Sequence, residues 1–575
     1  SRTAVLSTAL LLCRRDDAGV AKELHETKTA DTVEALDKVA FFDEFFAFLQ
    51  RLGIMPLLQQ LDPGTRLRAS ISWVAMIGVY VMRILVGIPS IPQTEGLLLT
   101  DPALMALFGM AAFVEKGTTR RGLSRANTLP AVRGAFSGEA MVDALAKCSL
   151  LVLARVFNAV IGILAERGYF PKHVHAVVDC TDLEATPKYR MRLSWQQAAG
   201  QAAQDGLQPF ERVTAPVACV KRKKRPDHRN NRHAPKVETT VWGWKVWVMF
   251  CPTSGLPIAM YVDRINVDDR TWMLALVQQG KANLGERLKS VAFDRGFWDG
   301  QDLCLVAKAV PFFIPGKSDM EVTKDARRLA HAAYQQARHG RPIEDAIVAT
   351  RPVCVVRGRG QHRREEQQNL IVVGLRGLDC PTYAEEPPGS RVHAKSYVAP
   401  KLNAAVVMQD PLYPRPADDE KPLVVLTCAS METESDVLFA YDRFDERGVI
   451  ENSANKEAKQ AWKLEAPLEK SEAAVYLHAH FVFMLMALLT AFRAEKQSAE
   501  AAEAQGEETG MARYRRHVER ANREKVLVRI GDRYGVFYAW EFAILGGVRL
   551  RHHPAESADS ILARYGATAP QGQPP

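Results

Sequence analysis

The spacing of hydrophobic residues changes near residue 173, and this change constrains the fold more than any other feature of the chain. In 34–168, apolar residues recur at the intervals expected of amphipathic helices. Beyond that point, "HVHAVVDCTDL" predicts a buried strand, 239–265 predicts a β-hairpin, and "RLKSVAFD" predicts a further strand, with helical segments between and after them. The sequence therefore predicts an all-α N-terminal domain followed by a mixed α/β sheet.

A chain of 575 residues is too long to fold around one ordinary hydrophobic core, so we expect several domains. A β-rich stretch with many loops precedes the buried strand in "KPLVVLTCAS", and we interpret it as an inserted module. The predicted parts are a helical N-terminal domain (1–168), the first part of an α/β core (169–310), a β-rich insertion domain (311–420), the second part of the core (421–494), and a linker with a C-terminal region (495–575).

Composition argues against several classes of protein. The net charge of +9 favours a polyanionic partner without requiring one. The nine cysteines form no Cys-x-x-Cys pair, which indicates reduced thiols in a cytoplasmic protein rather than a zinc site or a disulfide framework. The chain has no Gly-x4-Gly-Lys-Ser/Thr phosphate-binding motif, so we expect no nucleotide cofactor.

Two apolar runs, 72–88 and 475–492, approach the minimum length of a membrane-spanning helix. The first contains Arg83, and the second contains two histidines but no Lys, Arg, Asp or Glu. We interpret both as buried core helices. The opening "AVLSTALLLC" is apolar like part of a signal peptide but lacks a basic start and a small-residue cleavage site, so we expect no membrane association.

Acidic residues end the two predicted strands, and another lies on a predicted helix. These are Asp179 and Asp182 in "VVDCTD", Asp294 in "VAFD" and Glu451. Because buried carboxylates are costly without partners, such a cluster favours bound Mg²⁺ or Mn²⁺, and two such ions would activate a water or a 3′-hydroxyl for phosphodiester chemistry. On a strand, Asp182 would point away from Asp179, so Asp179 is preferred while Asp182 stays an alternative.

Four stretches occur in the order found in a known family. They are "VVDCTDL", "WGWKVWVMFCPTSGLPIAMYVDRINVDD", "SVAFDRGFWDGQDL" and "RGVIENSANKEAKQAW", and together they resemble the DDE transposases of bacterial insertion sequences, in the insertion-sequence-four group. The resemblance extends from about residue 40 to 495. It implies an RNase H-like mixed-sheet catalytic core, interrupted by a β-rich insertion domain before the glutamate, with an all-α N-terminal domain.

By this resemblance, Asp179, Asp294 and Glu451 match the catalytic triad and hold two divalent ions, Mg²⁺ or Mn²⁺. The implied activity is cut-and-paste transposition, in which the enzyme cleaves transposon ends and joins the freed 3′-hydroxyl to target DNA. The implied partners are transposon-end and target DNA, with a homodimer on the DNA, and the implied location is the bacterial cytoplasm near the nucleoid. The C-terminal region would serve dimerisation or DNA contact.

The family's last motif is Tyr, two residues, Arg, three residues, Glu, six residues, Lys. Arg447 and Glu451 fit it. The tyrosine position falls on Phe444, with Tyr441 one turn earlier, and the lysine position falls on Ala458. Lys459 is adjacent to that position and Lys456 is near it.

A basic stretch, 220–236, contains eight Lys or Arg residues and one Asp, and it is predicted to be a loop. It favours contact with phosphates, although a solvated loop is the plain alternative. The arginines of 117–132 have the same two interpretations, contact with DNA or an ordinary solvated loop. The predicted DNA-contacting residues are Tyr441, Arg447, Lys456, Lys459, Lys245, Arg295, Trp298, Lys221, Arg222, Lys223, Lys224 and Arg225.

Three other functions stay open from the sequence alone. The first is a nuclease with the same core that cuts DNA without joining ends. The second is a catalytically inactive DNA-binding regulator. The third is a basic α/β protein whose acids are only salt-bridged, because Arg447, Glu451 and Asn455 also have the i, i+4 spacing of a surface ion pair on a helix.

Overall fold

The structure of the chain is a computed structural model, in which the chain forms two compact units. One unit combines Ser1–Val156 with Ala461–Pro575, and the other is Phe157–Gln460. The structure describes residues 14–37, 39–64, 71–110, 134–184, 219–226, 236–341, 345–357, 364–385, 400–413, 421–449, 455–467, 472–500 and 523–567.

Helices occur in both units. The α-helices are α1 (Asp17–Thr27), α2 (Ala40–Arg51), α3 (Ile54–Gln59), α4 (Trp73–Val86), α5 (Ile91–Thr94), α6 (Pro102–Ala106), α7 (Gly138–Leu145), α8 (Leu150–Glu166), α9 (Met273–Leu284), α10 (Gly300–Ala309), α11 (Glu321–Arg338), α12 (Glu434–Asp445), α13 (Arg447–Val449), α14 (Lys456–Gln460), α15 (Glu472–Glu500), α16 (Ala539–Leu545) and α17 (Ala558–Arg564). A π-helix covers Glu95–Leu99, and 3₁₀ helices cover Asp269–Trp272, Gly285–Arg287 and Arg295–Phe297.

The strands form two sheets. They are β1 (Arg14–Arg15), β2 (Thr32–Ala35), β3 (Val174–Glu184), β4 (Cys219–Pro226), β5 (Lys236–Cys251), β6 (Leu256–Arg264), β7 (Leu288–Phe293), β8 (Phe312–Pro315), β9 (Ala346–Arg357), β10 (Arg364–Leu378), β11 (Leu402–Gln409), β12 (Leu423–Thr427), β13 (Lys525–Ile530) and β14 (Arg533–Tyr538). The small sheet has the order β1-β14-β13-β2, and the large sheet has the order β4-β5-β3-β7-β8-β12-β11-β10-β9, with β6 also paired to β5.

The small sheet joins the two ends of the chain. Val20 and Leu24 of α1 pack with Val528, Phe537 and Ile561 in one buried cluster. The N-terminal region is therefore not all-α, and residues 523–567, which belong to the region after 510 to which the sequence assigned no fold, fold with it. The strands escaped prediction because they are short and because their partners are remote, as in the ion pair that Arg533 forms with a residue 517 positions away.

The apolar runs are buried helices. Among the described residues, the helix Ala473–Lys496 is long and apolar enough to cross a membrane. Two bent pairs of helices also have the necessary length and apolar character when each pair is counted as one span. The most apolar part of Ala473–Lys496 is 94% buried inside the protein. Phe45 packs edge-on against Phe492 at 5.6 Å, and the hydroxyl of Tyr80 lies 2.9 Å from Nδ1 of His478. This helix belongs to the unit of the chain termini and not, as predicted, to the sheet.

The large sheet is mixed, as the sequence predicts. Strand β5 lies antiparallel to β3 and to β6, whereas β7 lies parallel to β3 and β8 lies parallel to β7. The helices α9 and α10 precede and follow β7 along the chain, as predicted. This arrangement puts the carboxyl ends of β3 and β7 at the same edge of the sheet.

The stretch predicted as an insertion domain continues the same sheet. Strand β12 pairs antiparallel with β8, and β11, β10 and β9 follow it in order. The boundaries near 310 and 420 are therefore not breaks in the sheet, and this stretch belongs to the same compact unit as β3 and β7. The first residues of β10 are mostly exposed, which gave the sequence its loop-like character.

Candidate functional site

Two aspartates lie on neighbouring strands where β7 ends, Asp179 within β3 and Asp294 directly after β7. Val178 of β3 is in parallel register with Phe293 of β7, and Asp179 and Asp294 each follow one of these partners. The backbone of Asp294 stays extended, with φ −75° and ψ 158°, so the register carries over to this pair. Neighbouring strands are about 4.8 Å apart, and residues in register point to the same face, so the two carboxylates are neighbours.

The segment after α12 contacts both aspartates. Arg447 Nη1 donates to Asp294 Oδ1 at 2.5 Å, and Asn455 Nδ2 donates to Asp179 Oδ2 at 3.0 Å. Lys459 Nζ donates to the main-chain oxygen of Asp182 at 2.7 Å. Arg447 and Asn455, which lie on either side of residue 451 in sequence, thus both contact the edge of the sheet. Glu451 itself lies outside the described residues.

Arg447 is held by more than its ion pair. Its guanidinium lies 5.3 Å from the centre of the Phe444 ring, and its side chain is 21% exposed. Phe444 occupies the position of the family's tyrosine, so an aromatic ring packs on the arginine although the hydroxyl is missing. The side chain of Asp294 remains 35% exposed, which leaves the carboxylate open to a ligand from solvent.

Asp182 has a different environment from Asp179. Its Oδ2 lies 3.1 Å from Lys221 Nζ and 2.6 Å from Lys223 Nζ. Burial alone would raise the pKa of the Asp182 carboxyl, but the hydrogen bond from Lys223 and the charge of Lys221 outweigh it and lower the pKa. The two lysines thus neutralise Asp182, and this explains the residue without a metal ion.

The basic stretch begins with a strand, not the predicted loop. Strand β4 pairs antiparallel with β5, and its side chains alternate between two faces. Lys221 and Lys223 point toward the acids of β3, where Lys223 also lies 3.0 Å from Glu184. Arg222, whose side chain is 80% exposed, and Lys224 point to the other face and to solvent. Arg225 belongs to β4, but its side chain lies outside the described part of the chain.

Two predicted DNA-contacting residues are buried. Lys245 is 3% exposed, and its Nζ lies 2.6 Å from Asp269 Oδ1. Tyr441 is 2% exposed and donates its hydroxyl to Asp410 Oδ2 at 2.8 Å. Burial and this acceptor both raise the pKa of Tyr441. Neither side chain is placed to meet a phosphate, because each packs inside the protein; the apolar neighbours of Lys245 in β5 gave no sign that its charge is paired.

The remaining predicted residues lie near the sheet edge. Arg295 follows Asp294 directly and is exposed, and Trp298 is half-buried just beyond the same turn. Lys456 is exposed on α14, three positions before Lys459. The candidate site thus combines Asp179, Asp294 and the segment that carries Arg447 and Lys459.

Sequence reasoning missed two contacts. Asn455 was noted only for its i, i+4 spacing, which was the available sign that it faces Asp179. Asp269 carried no sign beyond its place after a predicted hairpin, yet it binds Lys245 and the thiol of Cys180, at 2.6 Å and 3.2 Å. Burial, followed by the charge of Asp269, raises the pKa of Cys180, so its sulfur stays a protonated donor.

The described residues alone do not complete a metal site. Within those ranges no group of three or more His, Cys, Asp or Glu side chains is arranged to hold an ion. Two of the three predicted acids fall within them, and their ligand atoms are carboxylate oxygens of the kind that Mg²⁺ prefers.

Comparisons with known proteins identify no family for this chain. No family model matches the chain, and no curated protein matches it. Among solved structures, the chain is similar to piggyBac transposase in a synaptic complex with hairpin DNA, with 10% identity, a TM-score of 0.36, and coverage of 86% of this chain and 82% of that one. A similarity this low assigns no function.

Proposed function

We propose that the chain is a DDE transposase, which cleaves transposon ends and joins the 3′-hydroxyl to target DNA with the help of Mg²⁺ or Mn²⁺. The observation that carries the proposal is that Asp179 and Asp294 directly follow the registered pair Val178 and Phe293 of β3 and β7, with Asn455 and Arg447 hydrogen-bonded to the two aspartates. Glu451 is four positions from each of these anchors in sequence and is the proposed third carboxylate.

The large sheet supports an RNase H-like core. Strand β5 lies antiparallel to β3 and to its hairpin partner β6, and β7 and β8 run parallel to β3 on the other side of that strand. This is compatible with the core that the sequence motifs imply, with Asp294 at the carboxyl end of β7 and Asp179 on the adjacent parallel strand β3. Ligands commonly bind at that edge of an open α/β sheet.

The donor set at the edge, once completed by Glu451, would suit two divalent ions. Asp179 and Asp294 present oxygens only, and one oxygen of each accepts a hydrogen bond from Asn455 or Arg447, which orients the carboxylates. Together with Glu451 they would hold the ions. When bound, the metal would lower the pKa of a water or hydroxyl nucleophile and stabilise the leaving oxygen.

The protein's own side chains have separate roles in this proposal. The carboxylates bind the ions and fix them to the sheet edge. Arg447 neutralises charge beside Asp294 and is placed to bind a phosphate oxygen when DNA enters. Lys459 bonds to the Asp182 main chain and holds α14 against β3. Trp298 and Arg295 border the same edge and would contact a nucleotide base and a phosphate, respectively.

The DNA path is proposed to follow the exposed cations. Arg222 and Lys224 of β4, Arg295 and Lys456 face solvent in the described part of the chain. Binding at these positions would release counterions and depend on salt. Two chains would bridge two transposon ends, and the protein would act beside the bacterial chromosome in the cytoplasm.

The test is a cleavage and joining assay with labelled duplexes from the DNA that flanks the coding region. The proteins compared are the wild type, Asp179→Asn, Asp294→Asn and Glu451→Gln, with Asp182→Asn as the matched control. We expect Mg²⁺-dependent nicking and a joined product, both lost in the first three variants and retained in Asp182→Asn. Nicking without joining would identify a nuclease, and binding without cleavage by any protein would identify a regulator.

A further inference from the structure

Behind the sheet edge, one carboxylate connects several elements of the second unit. Asp269 begins the 3₁₀ helix after β6, and its Oδ1 accepts from Lys245 Nζ of β5 at 2.6 Å and from Cys180 Sγ of β3 at 3.2 Å. Its main-chain oxygen accepts from Trp247 Nε1 at 3.0 Å. Lys245 Nζ also donates to the oxygen of Val267 at 2.7 Å, which closes the turn over the strand.

One of these contacts lies directly behind the first aspartate. Cys180 follows Asp179 on β3, so its side chain projects from the opposite face of the sheet. A hydrogen bond to Asp269 therefore fixes the strand at the residue next to Asp179 without occupying the face on which Asp179 meets Asn455.

The same carboxylate packs against the turn that follows the second aspartate. A Cβ on Gly296, two positions after Asp294, would lie 2.8 Å from Asp269 Oδ2, so the glycine allows the turn to approach. Arg270, the neighbour of Asp269, ties the two turns together through its Nη1, 3.2 Å from Asp299 Oδ2.

We infer that Asp269 is a positioning residue, which sets the spacing of Asp179 and Asp294 by holding Cys180 and the turn at Gly296 from behind the sheet. The inference rests on the proposed function, because it assigns Asp269 to the support of that site. Groups that orient metal ligands without touching the ion typically affect metal affinity by about 10-fold to 100-fold.

A single substitution at Asp269 would have two effects at once, because it would remove the acceptor of the Cys180 thiol and also the partner of the buried Lys245 charge. Lys245 has a side chain only 4% exposed, and removal of Asp269 would leave its charge buried without its carboxylate. The matched variants therefore carry Lys245→Met together with either Asp269→Ala or Asp269→Asn. Both lack the ion pair, but only the asparagine variant keeps an oxygen acceptor for the Cys180 thiol.

The measurement is Mn²⁺ binding by electron paramagnetic resonance, with thermal unfolding and amide hydrogen exchange on the same full-length proteins and Asp179→Asn as the reference for lost binding. We expect both double variants to unfold near the wild-type temperature. The alanine variant should bind Mn²⁺ about tenfold more weakly and exchange faster at the ends of β3 and β7, and the asparagine variant should recover much of the affinity.

Each other result has a definite meaning. If both double variants bind Mn²⁺ as the wild type does, Asp269 has a structural role only and the inference is wrong. If the wild type binds Mn²⁺ no better than Asp179→Asn and cuts no DNA, the proposed function fails and the inference fails with it.

Discussion

Arg447 Nη1 lies 2.5 Å from Asp294 Oδ1, although the two residues are 153 positions apart in sequence. A charge-assisted hydrogen bond of this kind is among the stronger polar contacts in proteins. It ties the segment after α12 to the end of β7 and supplies a positive charge where the proposed reaction needs to bind phosphate.

Arg447→Ala should therefore separate metal binding from catalysis. Removing a cation beside a carboxylate favours other cations there, so we expect Mn²⁺ affinity to hold or rise while DNA cleavage falls at least about tenfold. Titration of Mn²⁺ and single-turnover cleavage would measure both. Arg376→Ala, which breaks a comparable exposed ion pair with Glu432, is the control. A parallel loss of both properties would mean that Arg447 acts only in folding.

Asn455 allows a test by charge. Asn455→Ala removes one hydrogen bond to Asp179, and we expect about a tenfold loss of cleavage, in line with about 1.5 kcal/mol for a hydrogen bond to a charged group. Asn455→Asp places a second carboxylate there, so it should lose more activity and shift the pH profile. The pH dependence of cleavage at several Mn²⁺ concentrations would show this, and identical profiles for the two variants would contradict it.

The two faces of β4 should behave differently toward DNA. Arg222→Gln with Lys224→Gln removes two exposed cations, and we expect weaker binding and a slope of log affinity against log salt that falls by about 1.8. Lys221→Gln with Lys223→Gln instead breaks the contacts to Asp182 and Glu184, so its main effect should be on thermal stability. Equal effects of both pairs on the salt slope would refute this division.

Asp43 predicts a pH dependence of stability in the unit of the chain termini. Burial raises its pKa to about 6, despite opposing hydrogen bonding from Tyr534 and the charge of Arg15. The folded state therefore holds a proton that the unfolded state releases, and stability should fall as pH rises from about 4 to about 6, by about 3 kcal/mol in all. Above that range both states are ionised and the loss is constant.

Asp43→Asn removes the ionisable group in a nearly isosteric way. We expect it to raise the unfolding temperature at pH 8 and to flatten its decline between pH 4 and pH 6. Thermal unfolding across this range would test the prediction. The control is Asp17→Asn, because Asp17 pairs with the same Arg15 but is more exposed than Asp43. A wild-type curve that rises with pH over this interval would contradict it.

Much of the local structure was predictable because it is encoded by neighbouring residues. The alternation in 239–265 predicted the hairpin of β5 and β6, and the apolar spacing around Phe45 and Tyr80 predicted buried helices. Asp294, which directly follows β7, was identified from the same pattern, because a charge that ends a buried strand is conspicuous in sequence, whereas Asp179 lies within β3 and not at its end.

The candidate site was only partly predictable, because partners are chosen by tertiary contact. Lys221 and Lys224 lie in one run of basic residues, yet Lys221 contacts Asp182 while Lys224 points to solvent, and Lys245, which lies between apolar residues, is paired with Asp269. The difference follows from which face of a strand meets an acid from another strand. Local spacing does not contain that information for partners 24 or 39 positions away.

By itself, the sequence determined the periodicity of its helices and strands and the positions of its chemically capable residues, since both depend on neighbours along the chain. The tertiary structure alone decided that segments near the two ends share a sheet, that the predicted insertion extends the large sheet, and that Asn455 and Arg447 meet Asp179 and Asp294. Strand pairing between remote segments depends on which apolar faces can be buried together, and that is a property of the whole folded chain.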